Sequence, residues 1–469
     1  MKRLRTLVAV AAVAAGLVSG PATATATATT TAGPGPGRHT YTGSIDGAEY
    51  RVETPARWNG TLILFSHGYI PDMPGFPPGI TLAHRAETEQ WLLDHGYALA
   101  GSDYKGRFGM LVEEALTDQM ALLDWFEDTV GEPRRTVSSG FSMGGGIATH
   151  LAELHPDRFD GVLAIGSLQD MPANLNRGLD VTFAVRTLLT DDQRLELVKA
   201  TDPVHSVQVL QQGVQQALTT PEGRAKLALI GAVGQLPRWA TAHSPRPTDL
   251  VEAIRQQAWW TEAAYVASLG PTGRVDIERR AGGNPSSNVG VDYTRQLVRS
   301  GDLPFVAEAY RASGADLRAD LRALVDAPRI AADEKAVAWA TRYGVSAATT
   351  PTPVVTLHGM AEGIITSDAR WYGEQVRHHG DPNRLRQLYV DRGDHGAFSA
   401  ADEIIALTAL LHRIETGRWQ NLGPRTLNAK VATFTPQQQT VFDIYTFADK
   451  VVPPAFTNQQ PPKALRPTR

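Results

Sequence analysis

The sequence predicts a mostly parallel, doubly wound α/β sheet, with helices on both faces, interrupted by one large helical insertion. Two observations carry this prediction. Short apolar runs at residues 61–65 (TLILF), 97–102, 136–141, 161–168, 353–357 and 385–390 alternate with helical stretches at 82–95, 116–130 and 147–154. Strands that read as near-continuous apolar runs are those buried on both faces of a parallel sheet. The alternation then stops at about Gln169 and resumes at about Thr350, and the intervening stretch carries helical patterns at 190–200, 221–231, 250–268 and 303–327.

Taken in order, the chain opens with a basic segment (Lys2, Arg3, Arg5), an apolar run over 7–18 and overlapping Ala-x-Ala sites from Ala22 to Ala28. This is the pattern of a secretory signal peptide over 1–28, and the run is short of the roughly 20 residues that span a bilayer. Secretion without a stable membrane anchor is expected, and a flexible leader over 29–38 follows. Asp46-Gly47 between two alternating runs predicts a hairpin. The core is expected over 39–168 and 351–420, the helical lid over 169–350, and an irregular tail over 421–469, where Pro453, Pro454, Pro461 and Pro462 fall.

Composition excludes several classes. Charged residues make up 20% of 469, the net charge is -4 and no basic stripe occurs, which argues against a nucleic-acid partner. The absence of cysteine rules out a thiol nucleophile, a lipid-anchoring cysteine and any disulfide, so the core alone holds the fold.

The chemistry concentrates in four short motifs. Gly140-Phe141-Ser142-Met143-Gly144 joins a strand to a helix, the form of a nucleophile elbow that exposes a serine at the sheet edge. A serine needs a base, the base an orienting acid, and the developing oxyanion fixed N–H donors. His395 is the candidate base, because it follows the last apolar strand in a glycine-rich loop. Glu362, four residues beyond His358, is the candidate acid, with Asp368 and Asp170 as competitors. His358 and His67, each followed by glycine at a strand end, read as structural.

Together GFSMGG at Gly140, SHGY at Ser66, LHGMAEGII at Leu357 and GDHGAF at Gly393 resemble the α/β-hydrolase superfamily, and the order Ser142, Glu362, His395 agrees with its order of nucleophile, acid and base. Two departures stand out: glutamate replaces the usual aspartate, and a plain His-Gly replaces a HGGG-type segment. The resemblance implies backbone N–H donors from Tyr69 and Met143, an acyl-enzyme mechanism, and no metal or organic cofactor. The signal segment and the cysteine-free composition resemble those of exported proteins from high-GC Gram-positive bacteria. The expected partner is a small-molecule substrate, an ester or lactone of a moderately large, apolar compound, or a peptide if the chain is an exported aminopeptidase; an acyltransferase is a further alternative. Trp239, Trp259, Trp260 and Tyr265 either line an acyl pocket or build the core of the lid. An aminopeptidase would need cap carboxylates, for which Glu308, Asp316, Asp320, Asp333 and Glu334 are available.

Overall fold

The computed structural model describes residues 29–33, 37–72, 79–365, 367–443 and 447–468, so the expected signal segment lies outside the described residues. The first half of the core runs β1 (Thr29–Ala32), β2 (His39–Ile45), β3 (Ala48–Thr54), β4 (Thr61–Ser66), α1 (Ala86–Asp94), β5 (Ala98–Ser102), α2 (Val112–Thr129), β6 (Arg135–Phe141), α3 (Met143–Leu154) and β7 (Gly161–Ile165). The lid follows as α4 (Met171–Leu189), α5 (Pro203–Leu218), α6 (Pro221–Val233), α7 (Leu250–Trp260), α8 (Pro271–Ala281), α9 (Tyr293–Ser300), α10 (Leu303–Ser313), α11 (Leu317–Asp326) and α12 (Glu334–Gly344), with a π-helical continuation of α7 over Thr261–Ser268. The core then resumes as β8 (Val354–Ala361), α13 (Asp368–His379), β9 (Leu385–Gly393), α14 (Ala400–Thr416), α15 (Pro424–Val431), β10 (Thr440–Asp443), β11 (Ala448–Val451) and β12 (Phe456–Thr457).

Among the described residues ten strands form one sheet in the order β1-β2-β3-β5-β4-β6-β7-β8-β9-β12. From β5 to β9 every neighbouring pair is parallel, and the edges are antiparallel. Because side chains alternate along a strand, Leu62 and Leu64 of β4 pack with α2, α3 and α13 on one face, while Ile63 packs with α1 and α14 on the other. The hairpin between β2 and β3 turns where predicted, with positive φ at both Asp46 and Gly47, as a tight two-residue hairpin turn requires.

Four local expectations need correction. Part of the leader is a strand, since Thr29–Ala32 pairs with β2. Residues 190–200 are not helical: Asp192 accepts the Arg194 N–H at 2.8 Å, a local side-chain bond that competes with helix formation. The single helix expected over 303–327 is two helices, because Gly314 ends α10 in the left-handed region and Asp316 caps α11. The tail is not wholly irregular, since it contributes α15 and the edge strand β12, which pairs with β9.

The lid has its own apolar core, including the fully buried Phe183, Leu229, Ile230, Trp260 and Tyr265. It is also fastened by the segment after β12. The Lys463 carbonyl accepts from Gln235, Arg466 Nη1 meets Asp180 at 2.7 Å, and the Thr468 N–H donates to Asp170, the cap of α4, at 2.9 Å. Asp180 is completely buried, and burial raises its pKa although Arg466 opposes the shift. Arg466→Ala is expected to cost about 3 kcal/mol in urea unfolding, because it leaves a buried carboxylate without its cation. Adding Asp180→Asn to that variant should recover most of the loss.

Candidate active site

Ser142 sits between β6 and α3 with φ 56° and ψ -120°, a conformation L-residues seldom adopt. Among the described residues four backbone bonds hold it there: the Ser142 N–H to Ile165 O at 2.9 Å, the Leu168 and Gly145 N–H groups to Ser142 O, both at 3.0 Å, and the Gly146 N–H to the same oxygen at 3.4 Å. The turn closes only because its flanking residues lack side chains. A Cβ on Gly140 would fall inside the Gly144 carbonyl, and one on Gly144 would fall inside the Ser66 carbonyl.

His395, in the loop after β9, brings Nε2 to 2.8 Å from Ser142 Oγ. Its ring lies along Phe141, with centroids 5.0 Å apart and planes 28° apart. Glu362, immediately after β8, presents Oε1 to His395 Nδ1 at 3.7 Å. That gap exceeds a hydrogen bond, as is common in a resting site whose contacts tighten around substrate. Burial works to raise the Glu362 pKa, yet interactions with His358 and His395 outweigh it and hold the carboxyl below the usual glutamate range. The structure therefore brings Ser142, His395 and Glu362 together.

The competing acids are occupied elsewhere. Asp368 accepts from the N–H groups of Gln169 at 2.9 Å and Asp170 at 3.2 Å and from the Asn174 amide. Burial, partly offset by Arg177, raises its pKa to about 6. Asp170 caps α4 and meets Thr468.

The segment His67-Gly68-Tyr69 abuts the nucleophile, since a Cβ on Gly68 would stand 3.1 Å from Ser142 Cβ. Met143 is the first residue of α3, so its N–H lies among those with no acceptor inside the helix. The His67 ring is stacked on Tyr104 at 4.2 Å, with Nδ1 2.7 Å from Gly68 O; burial pushes its pKa down. The Tyr69 pKa is pushed up to about 12 by burial, with Asp276 and Asp72 adding to the shift. The same Asp276, on α8, accepts the Met110 N–H at 2.9 Å, so this lid helix touches the core close to Tyr69.

The lid aromatics brace the loops of the base and the acid. Trp260 packs on Gly363, where a Cβ would fall inside the indole, and Tyr265 donates to Gly363 O at 2.8 Å. Trp239 covers Gly393, where a Cβ would come within 3.0 Å of the ring, and its carbonyl accepts from Trp260 at 3.0 Å. Trp259 stands edge-on to Trp260. Sequence reasoning missed this bracing, for which the only local signs were a glycine next to Glu362 and another two residues before His395. It also missed Asp394, which precedes His395 at φ 98° and is buried near Asp443 of β10. Burial first, then the Asp443 charge, pushes the Asp394 pKa well above the usual aspartate range.

Residues 67–205 match the alpha/beta hydrolase fold family. With the sheet order above, this gives the chain the α/β-hydrolase fold, as its motifs led us to expect. An o-phthalyl amidase of Xanthobacter agilis is 27% identical over 412 residues, covering 82% of this chain and 89% of that one. Solved structures similar to this chain include an esterase from Aspergillus oryzae, at 14% identity and TM-score 0.38 over 81% of this chain and 80% of that chain. Feruloyl esterase B from Aspergillus oryzae is similar at 13% identity and TM-score 0.37 over 81% of each chain.

Two outcomes are expected. Gly363→Ala should displace Trp260 and the Glu362 loop and lower hydrolytic turnover by about 100-fold, a loss steady-state kinetics will register. For Asp394, the raised native pKa means that the folded state keeps a proton the unfolded state has released. Stability therefore falls as pH rises above the unfolded value near 3.8 and goes on falling until the native group titrates. Asp394→Asn should remove this cost, by about 1.4 kcal/mol for each pH unit in that window, so its advantage in thermal melts should be larger at pH 7 than at pH 5.

Proposed function

We propose that the protein is a serine hydrolase of carboxylic esters or lactones that works through an acyl-enzyme on Ser142, with small acyl compounds as its partners. The 2.8 Å approach of His395 Nε2 to Ser142 Oγ at a strained strand-to-helix turn carries this reading. His395 takes the hydroxyl proton as Ser142 Oγ bonds to the substrate carbonyl carbon. The Tyr69 and Met143 N–H groups receive the oxyanion. Glu362 stabilises the imidazolium, which then gives its proton to the leaving alcohol; water repeats the sequence to release the acid.

A second reading, cleavage of amides, draws support from the 27% identical o-phthalyl amidase. The same groups serve it, with His395 protonating a leaving amine. The aminopeptidase alternative gains little from the cap carboxylates. Asp316 caps α11, Asp320 accepts from Tyr310, and Asp333 binds Lys199 and the Asn284 N–H, all within the lid. An acyltransferase would use the same three side chains with an alcohol in place of water. Secretion remains part of this proposal on the strength of residues 1–28, and among the described residues no helix is long and apolar enough to cross a membrane.

The test compares p-nitrophenyl esters of increasing acyl length with N-phthalyl amides and aminoacyl anilides, for the wild type and Ser142→Ala. Ester turnover that falls about 10,000-fold in the variant is the expected result. Ser142-dependent turnover of the phthalyl amides alone would move the assignment to an amidase. Turnover unchanged in Ser142→Ala would overturn the acyl-enzyme.

A further inference from the structure

The carboxylate of Glu362 faces two histidines. Oε1 looks to His395 Nδ1 at 3.7 Å and Oε2 to His358 Nδ1 at 3.8 Å, so the acid lies almost midway between two imidazoles. His358 is 1% exposed, Glu362 1% and His395 3%. His358 sits near the end of β8, four residues before Glu362, and neither of its ring nitrogens makes a hydrogen bond. A histidine wholly removed from water with both nitrogens unbonded is costly, and the group it faces is the carboxylate of the acid.

Glutamate gives a second contact a role. Compared with aspartate it has one more methylene and one more free torsion, so a single interaction at Oε1 leaves the carboxylate plane free to turn. The fold makes room for the extra length: a Cβ on Gly359 would lie 2.8 Å from Glu362 Cγ, and a Cβ on Gly166 would lie 3.0 Å from Oε1. Space fixes where the chain folds back, and an imidazole on the second oxygen bears on the plane.

We propose that His358 is a positioning residue for the acid: its Nδ1–H holds Glu362 Oε2, and so keeps Oε1 aimed at His395 when the imidazolium forms. This rests on the acyl-enzyme reading above. A packing role alone would ask only for an apolar shape at position 358.

Four variants decide between these roles, assayed on the ester that the wild type turns over in a Ser142-dependent way: His358→Leu, His358→Asn, Glu362→Asp and the double variant His358→Leu/Glu362→Asp. Leucine fills the space without a donor, and asparagine restores an N–H near the Nδ1 position. His358→Leu should lower kcat at least about tenfold with KM within about twofold and an unchanged melting temperature, while His358→Asn stays within about threefold of wild type. The leucine effect should shrink towards nothing in the Glu362→Asp background, because the shorter acid no longer reaches His358. Wild-type kcat in His358→Leu, equal losses in the leucine and asparagine variants, or full additivity with Glu362→Asp would overturn the role of His358. Should the leucine variant not fold, His358→Asn is compared with His358→Gln, whose amide falls at the Nε2 position: activity in the first and loss in the second support the proposal, and equal activity overturns it. Turnover indifferent to Ser142→Ala would sink the acyl-enzyme reading instead, and the two failures are separable.

Discussion

The site depends on one backbone constraint, the left-handed turn at Ser142. A serine with φ near 56° is held by its surroundings, and here the hold comes from both neighbours of β6. On the β7 side, Ile165 O and the Leu168 N–H grip the Ser142 backbone; on the β4 side, Gly144 lies directly against the end of that strand. Strain of this kind costs about 1–3 kcal/mol and persists only where the surrounding structure determines it. The parallel sheet supplies that rigidity, since β4, β6 and β7 are interior strands with covered faces.

The remaining two side chains reach Ser142 from loops, which a rigid scaffold does not fix by itself. Glu362 follows β8 and His395 follows β9, and a lid aromatic is pressed on a glycine within two residues of each: Trp260 on Gly363, Trp239 on Gly393. The Trp260 indole donates to the Trp239 carbonyl, so the two braces form one unit. Lid and core are therefore mechanically continuous at the place where Glu362 and His395 approach Ser142.

What was legible in the sequence follows from how local each signal is. The elbow, the base and the acid each lie in a run of a few residues at the end of an apolar strand, where strand periodicity, glycine spacing and side-chain type coincide. The interior strands were locatable for the same reason. The start of the lid was not: α4 and α5 went unseen while residues 190–200, held by an Asp192 turn, imitated a helix. Strands of two to four residues such as β12 and β10 leave almost no periodic trace. The braces on Gly363 and Gly393 join residues more than 100 positions apart, and no local pattern announces them.

This continuity between lid and catalytic loops limits how the protein can diversify. In an architecture where the cap merely roofs the site, a new cap can be grafted on and selection can explore substrates while the reaction machinery stays intact. Here the residues that would be exchanged to reshape the substrate space include those that seat the acid and the base. Changes of specificity must then arise by substitutions that leave Trp239, Trp260 and Tyr265 in place, so the evolutionary freedom of the lid lies in its outer helices.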